Sequence, residues 1–157
     1  MRQKCFVLVV LGLLLSGAGL CPARAGDSTY GKVTEVRSAE AVLLDTGETR
    51  YEVRLIGIQA PKEGPLAEEA RKFVSELVLG QQVQMRFEGR NKEGEMVSRL
   101  LTIGDAANPI RDVGLEVVRA GLARRLPNFD YKYGELSKAE AEARKGRRGL
   151  WASASPR

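Results

Sequence analysis

The chain has 157 residues with 25 basic and 20 acidic side chains, a net charge of +5 and no histidine. The missing histidine excludes Ser-His-Asp triads, histidine acid–base chemistry and Cys/His zinc sites. Both cysteines, Cys5 and Cys21, sit near the start of the chain, so a metal in the remainder would have to be a hard cation held by carboxylates.

The first 25 residues read as a signal peptide. Arg2 and Lys4 form a positive head, Phe6 to Leu15 an apolar run broken only by Gly12, and Ala23-Arg24-Ala25 the small-x-small pattern before Gly26. The run is shorter than the roughly 20 residues of a membrane span. The expectation is cleavage before Gly26 and export, to the periplasm or beyond. Lipid attachment at Cys21 competes with this reading, but Leu20 is bulky where such sites want a small residue. An uncleaved anchor is the third reading. Cleavage removes Arg2, Lys4 and Arg24 and no acid, leaving 22 basic against 20 acidic residues and a net charge of +2. Bulk charge therefore gives no argument for nucleic-acid binding. Residues 26–151 are expected to form one domain, with 152–157 a tail.

The first half of that domain reads as strands. Lys32 to Val36 alternates, Ala41 to Leu44 is a short apolar run, and Asp45-Thr46-Gly47-Glu48 supplies a turn before a third run, Thr49 to Ile58. The period then changes. Gly64-Pro65 opens a helix whose stripe is Leu66, Ala70, Phe73, Val74, Leu77 and Val78, ended by Gly80. Val83, Met85 and Phe87 alternate again, Asn91-Lys92-Glu93-Gly94 marks a hairpin turn, and Met96 to Ile103 is its return strand. Asp112 is placed to cap a short helix ending at Gly121. A final helix is predicted over Tyr133 to Lys145, with Ser137 and Glu140 at capping-box spacing, and Leu150-Trp151 folds back on the core. Five strands with a helix between the third and fourth predict an α+β, mainly β, OB-fold: a five-stranded barrel with three helices.

Val53-Arg54-Leu55-Ile56-Gly57-Ile58 followed by Pro61, then Gly121-Leu122-Ala123, then Ala139 to Arg144 with Gly149-Leu150-Trp151, stand in an order and spacing that resemble the staphylococcal-nuclease-like (thermonuclease) domains. The resemblance spans about Gly31 to Trp151. It implies Ca²⁺-assisted phosphodiester hydrolysis in the active members. That chemistry needs two carboxylates on a hard cation, a third as general base, and two arginines bracing the phosphate.

Carried over by resemblance, most of these positions are substituted. The family's Asp-Gly-Asp-Thr falls on Arg37-Ser38-Ala39-Glu40, which puts Ala39 at the first metal-ligand position. The phosphate-binding arginine is kept as Arg54. The second metal ligand falls on Gln59, the general base on Lys62, and the second arginine on Glu95. Loss of a general base lowers rates by on the order of 10²–10⁴, and loss of oriented charge by roughly 10²–10³. Lys62 also opposes a bound cation: unit charges about 6 Å apart repel by roughly 3 kcal/mol at an effective dielectric near 20.

Two carboxylates are rescue candidates. Glu63 follows the base position in a loop. Glu40 adjoins the first ligand position, but neighbours on a strand face opposite ways, so it reaches the site only through a slip or bulge. Asp45, Glu48 and Glu52 are expected to serve the hairpin turn and cross-strand ion pairs. Arg54, beside Glu52, reads either as a phosphate contact or as an ion pair. Lys92 is kept at a phosphate-facing place. Phe129, Tyr131 and Tyr133 read as packing groups or as base-stacking ones.

The resulting expectation is an exported, monomeric, catalytically inactive domain without a cofactor, binding single-stranded nucleic acid or an unidentified protein through the groove around Arg54, Lys62 and Lys92 or through another face. An active Ca²⁺-dependent nuclease with relocated carboxylates and a scaffolding domain of the cell envelope are the alternatives.

Overall fold

The computed structural model describes residues 27–152. The expected signal segment, with Cys21, and the tail beyond Ala152 lie outside the described residues. In chain order the elements are β1 (Ser28–Val36), β2 (Ala41–Asp45), β3 (Arg50–Leu55), β4 (Ile58–Gln59), α1 (Pro65–Val78), β5 (Gln82–Arg90), β6 (Met96–Thr102), α2 (Val113–Arg119), β7 (Arg124–Arg125), α3 (Glu135–Lys145) and a 3₁₀ turn (Gly149–Trp151).

Five strands close into a barrel in the order β1-β2-β3-β6-β5, with β5 returning to β1. The pairings are antiparallel except β3 with β6, which run parallel through Arg54–Val97 and Leu55–Ser98. This is the expected OB-type barrel with three helices. Val33, Val42, Leu44, Val53, Val83 and Leu100 fill it and are fully buried, the inward half of each alternating strand. The predicted stripe of α1 buries Ala70, Val74 and Val78, α2 adds Val113, Val117 and Val118, and α3 adds Leu136, Ala139 and Ala143.

Two local expectations change. The run from Thr49 to Ile58 is not one strand: it breaks at Gly57, whose φ of 79° lies in the left-handed region, and resumes as β4, which pairs with β7 instead of the barrel. A Cβ on Gly57 would lie 2.2 Å from the Phe129 ring, so this break is also a close approach. The capping box on Ser137 and Glu140 does not form either. Gly134 precedes α3, and Asp130 accepts from the backbone N–H of Leu136 at 2.9 Å and of Ser137 at 3.1 Å. Glu140 instead accepts from Arg125 N–H and pairs with Arg144. A carboxylate from the preceding loop reaches the free N–H groups first. The predicted cap of α2 holds: Asp112 accepts from Leu115 N–H at 3.1 Å.

Candidate functional site

A cleft of about 650 Å³ opens at the end of the barrel where β3, β4 and the β5–β6 hairpin meet the loop after β7. Its floor is apolar, with Leu55, Ile56, Gly57, Ile58, Val97, Leu126 and Phe129, and its polar groups are Glu40, Arg54, Gln59, Lys62, Asn91, Glu93 and Glu95. The structure thus brings together Arg54, Gln59, Lys62 and Glu95, which the sequence marks singly. Lys92 and Glu63 are exposed and do not line the cleft.

Arg54 is held from two sides. Its Nε donates to Glu95 Oε2 at 2.7 Å and its Nη2 to Glu95 Oε1 at 3.0 Å, a two-pronged contact, while Nη1 donates to Glu40 Oε2 at 2.9 Å. Each of its three nitrogens therefore donates to a carboxylate. The hydrogen bonds it donates to Glu95 raise the guanidinium's pKa further above its ordinary value, against the opposing effect of partial burial. Glu95 is itself fixed: Asn91 Nδ2 donates to it at 2.6 Å, and the Glu95 backbone N–H returns to Asn91 Oδ1 at 2.8 Å. The bonds from Arg54 and then Asn91 hold the Glu95 carboxyl below the usual range.

Ala39 is 2% exposed and packs in the core, whereas Glu40 points into the cleft. The expectation that Glu40 faces away is corrected by the backbone between β1 and β2. There, Arg37 and Ser38 N–H both donate to Ala41 O, and Ala41 N–H returns to Ser38 O. This is a tight turn, so strand alternation does not apply. Glu40 Oε1 also accepts from Ala60 N–H, which ties the turn to the segment before Pro61. Both Glu40 oxygens are occupied.

This donor set does not fit a Ca²⁺ site, which wants six to eight oxygens including free carboxylates. Among the described residues no group of three or more acidic, histidine or cysteine side chains is placed to hold a metal. Glu40 and Glu95 are committed to Arg54, Gln59 offers a neutral amide, and Lys62 places a cation on the same wall.

The aromatic candidates separate. Phe129 lines the cleft and meets Tyr131 edge-on at 6.1 Å. Tyr133 is exposed and Tyr131 is buried. Tyr131 belongs to a network the sequence reading missed: the Arg99 guanidinium lies 4.0 Å from its ring centre and donates to Asp112 Oδ2 at 2.7 Å. Burial pushes the Tyr131 phenol up. The Asp112 cap was the only local signal of this cluster.

The matches to known proteins converge. Residues 52–153 match the sequence model of the family described as "Staphylococcal nuclease homologue". The chain belongs to the staphylococcal nuclease family. Within that family it is 27% identical over 131 residues to a probable staphylococcal-like nuclease CAN1 of Oryza sativa subsp. japonica, covering 83% of this chain and 36% of that one. It is 30% identical over 108 residues to the staphylococcal-like nuclease CAN1 of Arabidopsis thaliana, covering 68% and 31%. It is 28% identical to a staphylococcal nuclease domain-containing protein 1 of Schizosaccharomyces pombe, covering 75% of this chain and 15% of that one. The chain thus spans about a third or less of the length of these relatives. No helix among the described residues is long and apolar enough to cross a membrane.

Proposed function

We propose that this chain is an exported staphylococcal-nuclease domain that does not hydrolyse its ligand and acts as a binding module for single-stranded nucleic acid. The observation that supports the first part is the closed ion-pair set of Arg54. The guanidinium that would brace a phosphate is held by Glu95 and Glu40 through three of its five N–H groups, and Gln59 and Lys62, at the positions where the resemblance puts a metal ligand and a base, line the same cleft. Each loss alone lowers rates by orders of magnitude. Restoring the arginine would require breaking a two-pronged contact. Binding is supported by the family's relatives named as nucleases and by the open cleft with Phe129 on its wall. An aromatic face there can stack a base without reading its sequence.

The test uses the chain without residues 1–25, incubated with single-stranded DNA and RNA in Ca²⁺ or in chelator. The expected result is intact oligonucleotide, salt-sensitive binding, and a thermal midpoint that Ca²⁺ and chelator leave within about 1 °C, since a ligand that binds the native state must stabilise it. Calcium-dependent cleavage would reject the proposal. No oligonucleotide binding at low salt would reject its second part in favour of a protein partner. Export is tested separately: the secreted or periplasmic form should begin at Gly26 by mass spectrometry.

A further inference from the structure

A group of cations lies beside the cleft rather than in it. The stretch from Arg144 to Ala152 carries Arg144, Lys145, Arg147 and Arg148 and no acid. In space it joins two cations from other elements. Arg124 on β7 lies 5.2 Å from the Trp151 ring centre and Arg144 lies 4.2 Å from it, so the indole contacts both guanidinium groups. Lys62 and Arg124 together line a hollow of about 380 Å³ with Gln59, Ala60, Pro61 and Leu150.

These cations are available. Among the described residues Lys62, Arg124, Lys145 and Arg147 are exposed and have no carboxylate partner, and Arg148 donates to the Arg119 carbonyl. Arg144 alone is paired, with Glu140 at 3.3 Å. The arrangement is also fixed. Arg147 takes a left-handed φ of 50°, and Arg148 N–H reaches back to Ala143 O at 3.0 Å, which closes the end of α3. Leu150 N–H donates to Gly121 O at 2.9 Å and pins the 3₁₀ turn to the end of α2. Cations at a helix C-terminus complement its dipole, and that accounts for Arg144 and Lys145. It does not account for Lys62 and Arg124, which come from a loop and from β7.

We propose that this face, formed by Lys62 and Arg124 beside the turn that carries Trp151 and by the exposed Lys145, Arg147 and Arg148 leading into that turn, is the phosphate-binding surface for a single-stranded nucleic acid whose bases enter the adjoining cleft. The inference rests on the binding module argued above and moves its phosphate contacts away from Arg54. Continuity is physical: Gln59 and Lys62 line both the cleft and the hollow. A strand crossing the β4–β7 ribbon would meet unpaired cations on one side and Phe129 on the other. Within the cleft the cations Arg54 and Lys62 face Glu40, Glu93 and Glu95, so the phosphates have no net attraction there.

The experiment is fluorescence anisotropy with a labelled oligo(dT) across a salt series, on the wild type, the Lys145→Glu/Arg147→Glu double variant, Lys62→Glu and Arg54→Ala. Lys32→Glu on β1 makes the same charge change on the barrel wall. Each phosphate contact contributes about −0.7 to the slope of log K against log salt for single strands. The double variant is expected to lose about tenfold or more in affinity at low salt and to flatten the slope by about 1 to 1.5. Lys62→Glu should lose several-fold, with Arg54→Ala and Lys32→Glu within about twofold. Wild-type binding that survives the double variant, or falls equally in Lys32→Glu, overturns this face but leaves the binding module standing. Absence of wild-type binding overturns both. A cooperative thermal transition lowered by no more than a few degrees, the effect of reversing Lys145 at the C-terminus of α3, excludes misfolding.

Discussion

Glu95 meets Arg54 with both carboxylate oxygens, at 2.7 and 3.0 Å, across the parallel junction of β3 and β6. The resemblance places an arginine at position 95, where it would add a second positive charge beside Arg54. A glutamate there reverses the sign of that charge and engages two N–H groups of the first guanidinium. Glu40 completes the set from the β1–β2 turn. What looks in the sequence like one retained catalytic residue among four lost ones is, in the fold, an arginine turned into a structural tie between three chain segments.

Glu95→Gln tests that statement directly. The amide keeps a hydrogen bond but loses the charge that offsets Arg54. The expected outcome is an approximately three- to tenfold gain in oligonucleotide affinity at low salt, in a variant that still cleaves nothing. Arg54→Ala in the wild-type background should change affinity by about twofold or less, because the phosphates are held on the basic face and not at this guanidinium. Isothermal titration of both variants checks the pair; a loss of affinity in Glu95→Gln would show that Arg54 is not masked.

Acid should weaken the same tie. Glu95 has a depressed folded-state pKa because of Arg54 and then Asn91, and Asp45 one depressed by Gly47 N–H and Arg50. A lowered carboxylate pKa contributes stability that is complete above the unfolded value, near 4, and is lost as pH falls through the folded value. The thermal midpoint should therefore hold from pH 7 to about 5 and fall progressively below about 4.5. In Glu95→Gln the fall should be shallower, as measured by circular dichroism across that range.

The barrel was legible because its signals are local. Val83, Met85 and Phe87 alternate, the stripe on α1 keeps its spacing, and both are satisfied by burial on one face. The site was only half legible because its partners are remote. Glu95 lies 41 residues from Arg54 and Glu40 lies 14 away, and their meeting depends on strand order and on a turn that suspends alternation. Ser137 and Glu140 show the converse. Their spacing satisfies a local rule, yet α3 begins ahead of Ser137 at Glu135, and Asp130 from the preceding loop takes the free N–H groups of Leu136 and Ser137. The basic face escaped the charge count because net charge averages it against acids elsewhere.

Gly57 is expected to be intolerant of a side chain. Alanine would adopt a left-handed φ and place its Cβ 2.2 Å from the Phe129 ring. The backbone and packing terms together predict a loss of about 2–4 kcal/mol in Gly57→Ala by urea denaturation. Pairing it with Phe129→Ala should recover the packing part and leave the backbone part. A Gly57→Ala variant as stable as the wild type would mean that Phe129 moves freely, and would remove the rigid aromatic wall from the cleft.

Asp112 joins two jobs in one carboxylate. Its Oδ1 caps α2 through Leu115 N–H, and its Oδ2 accepts from Arg99 Nε at 2.7 Å while Arg99 stacks on Tyr131. Burial disfavours the Arg99 charge, and Asp112, with smaller help from Tyr131 and Glu135, offsets this and leaves the guanidinium above its ordinary pKa. Asp112→Ala removes the cap and strands a half-buried cation, with an expected loss of about 3–5 kcal/mol. Asp112→Asn keeps a good capping group and loses only the charge, so about 1–3 kcal/mol is expected. Urea midpoints of the two variants separate the contributions. Equal losses would mean that the charge pair with Arg99 dominates, and a near-wild-type Asp112→Asn would mean that the cap does.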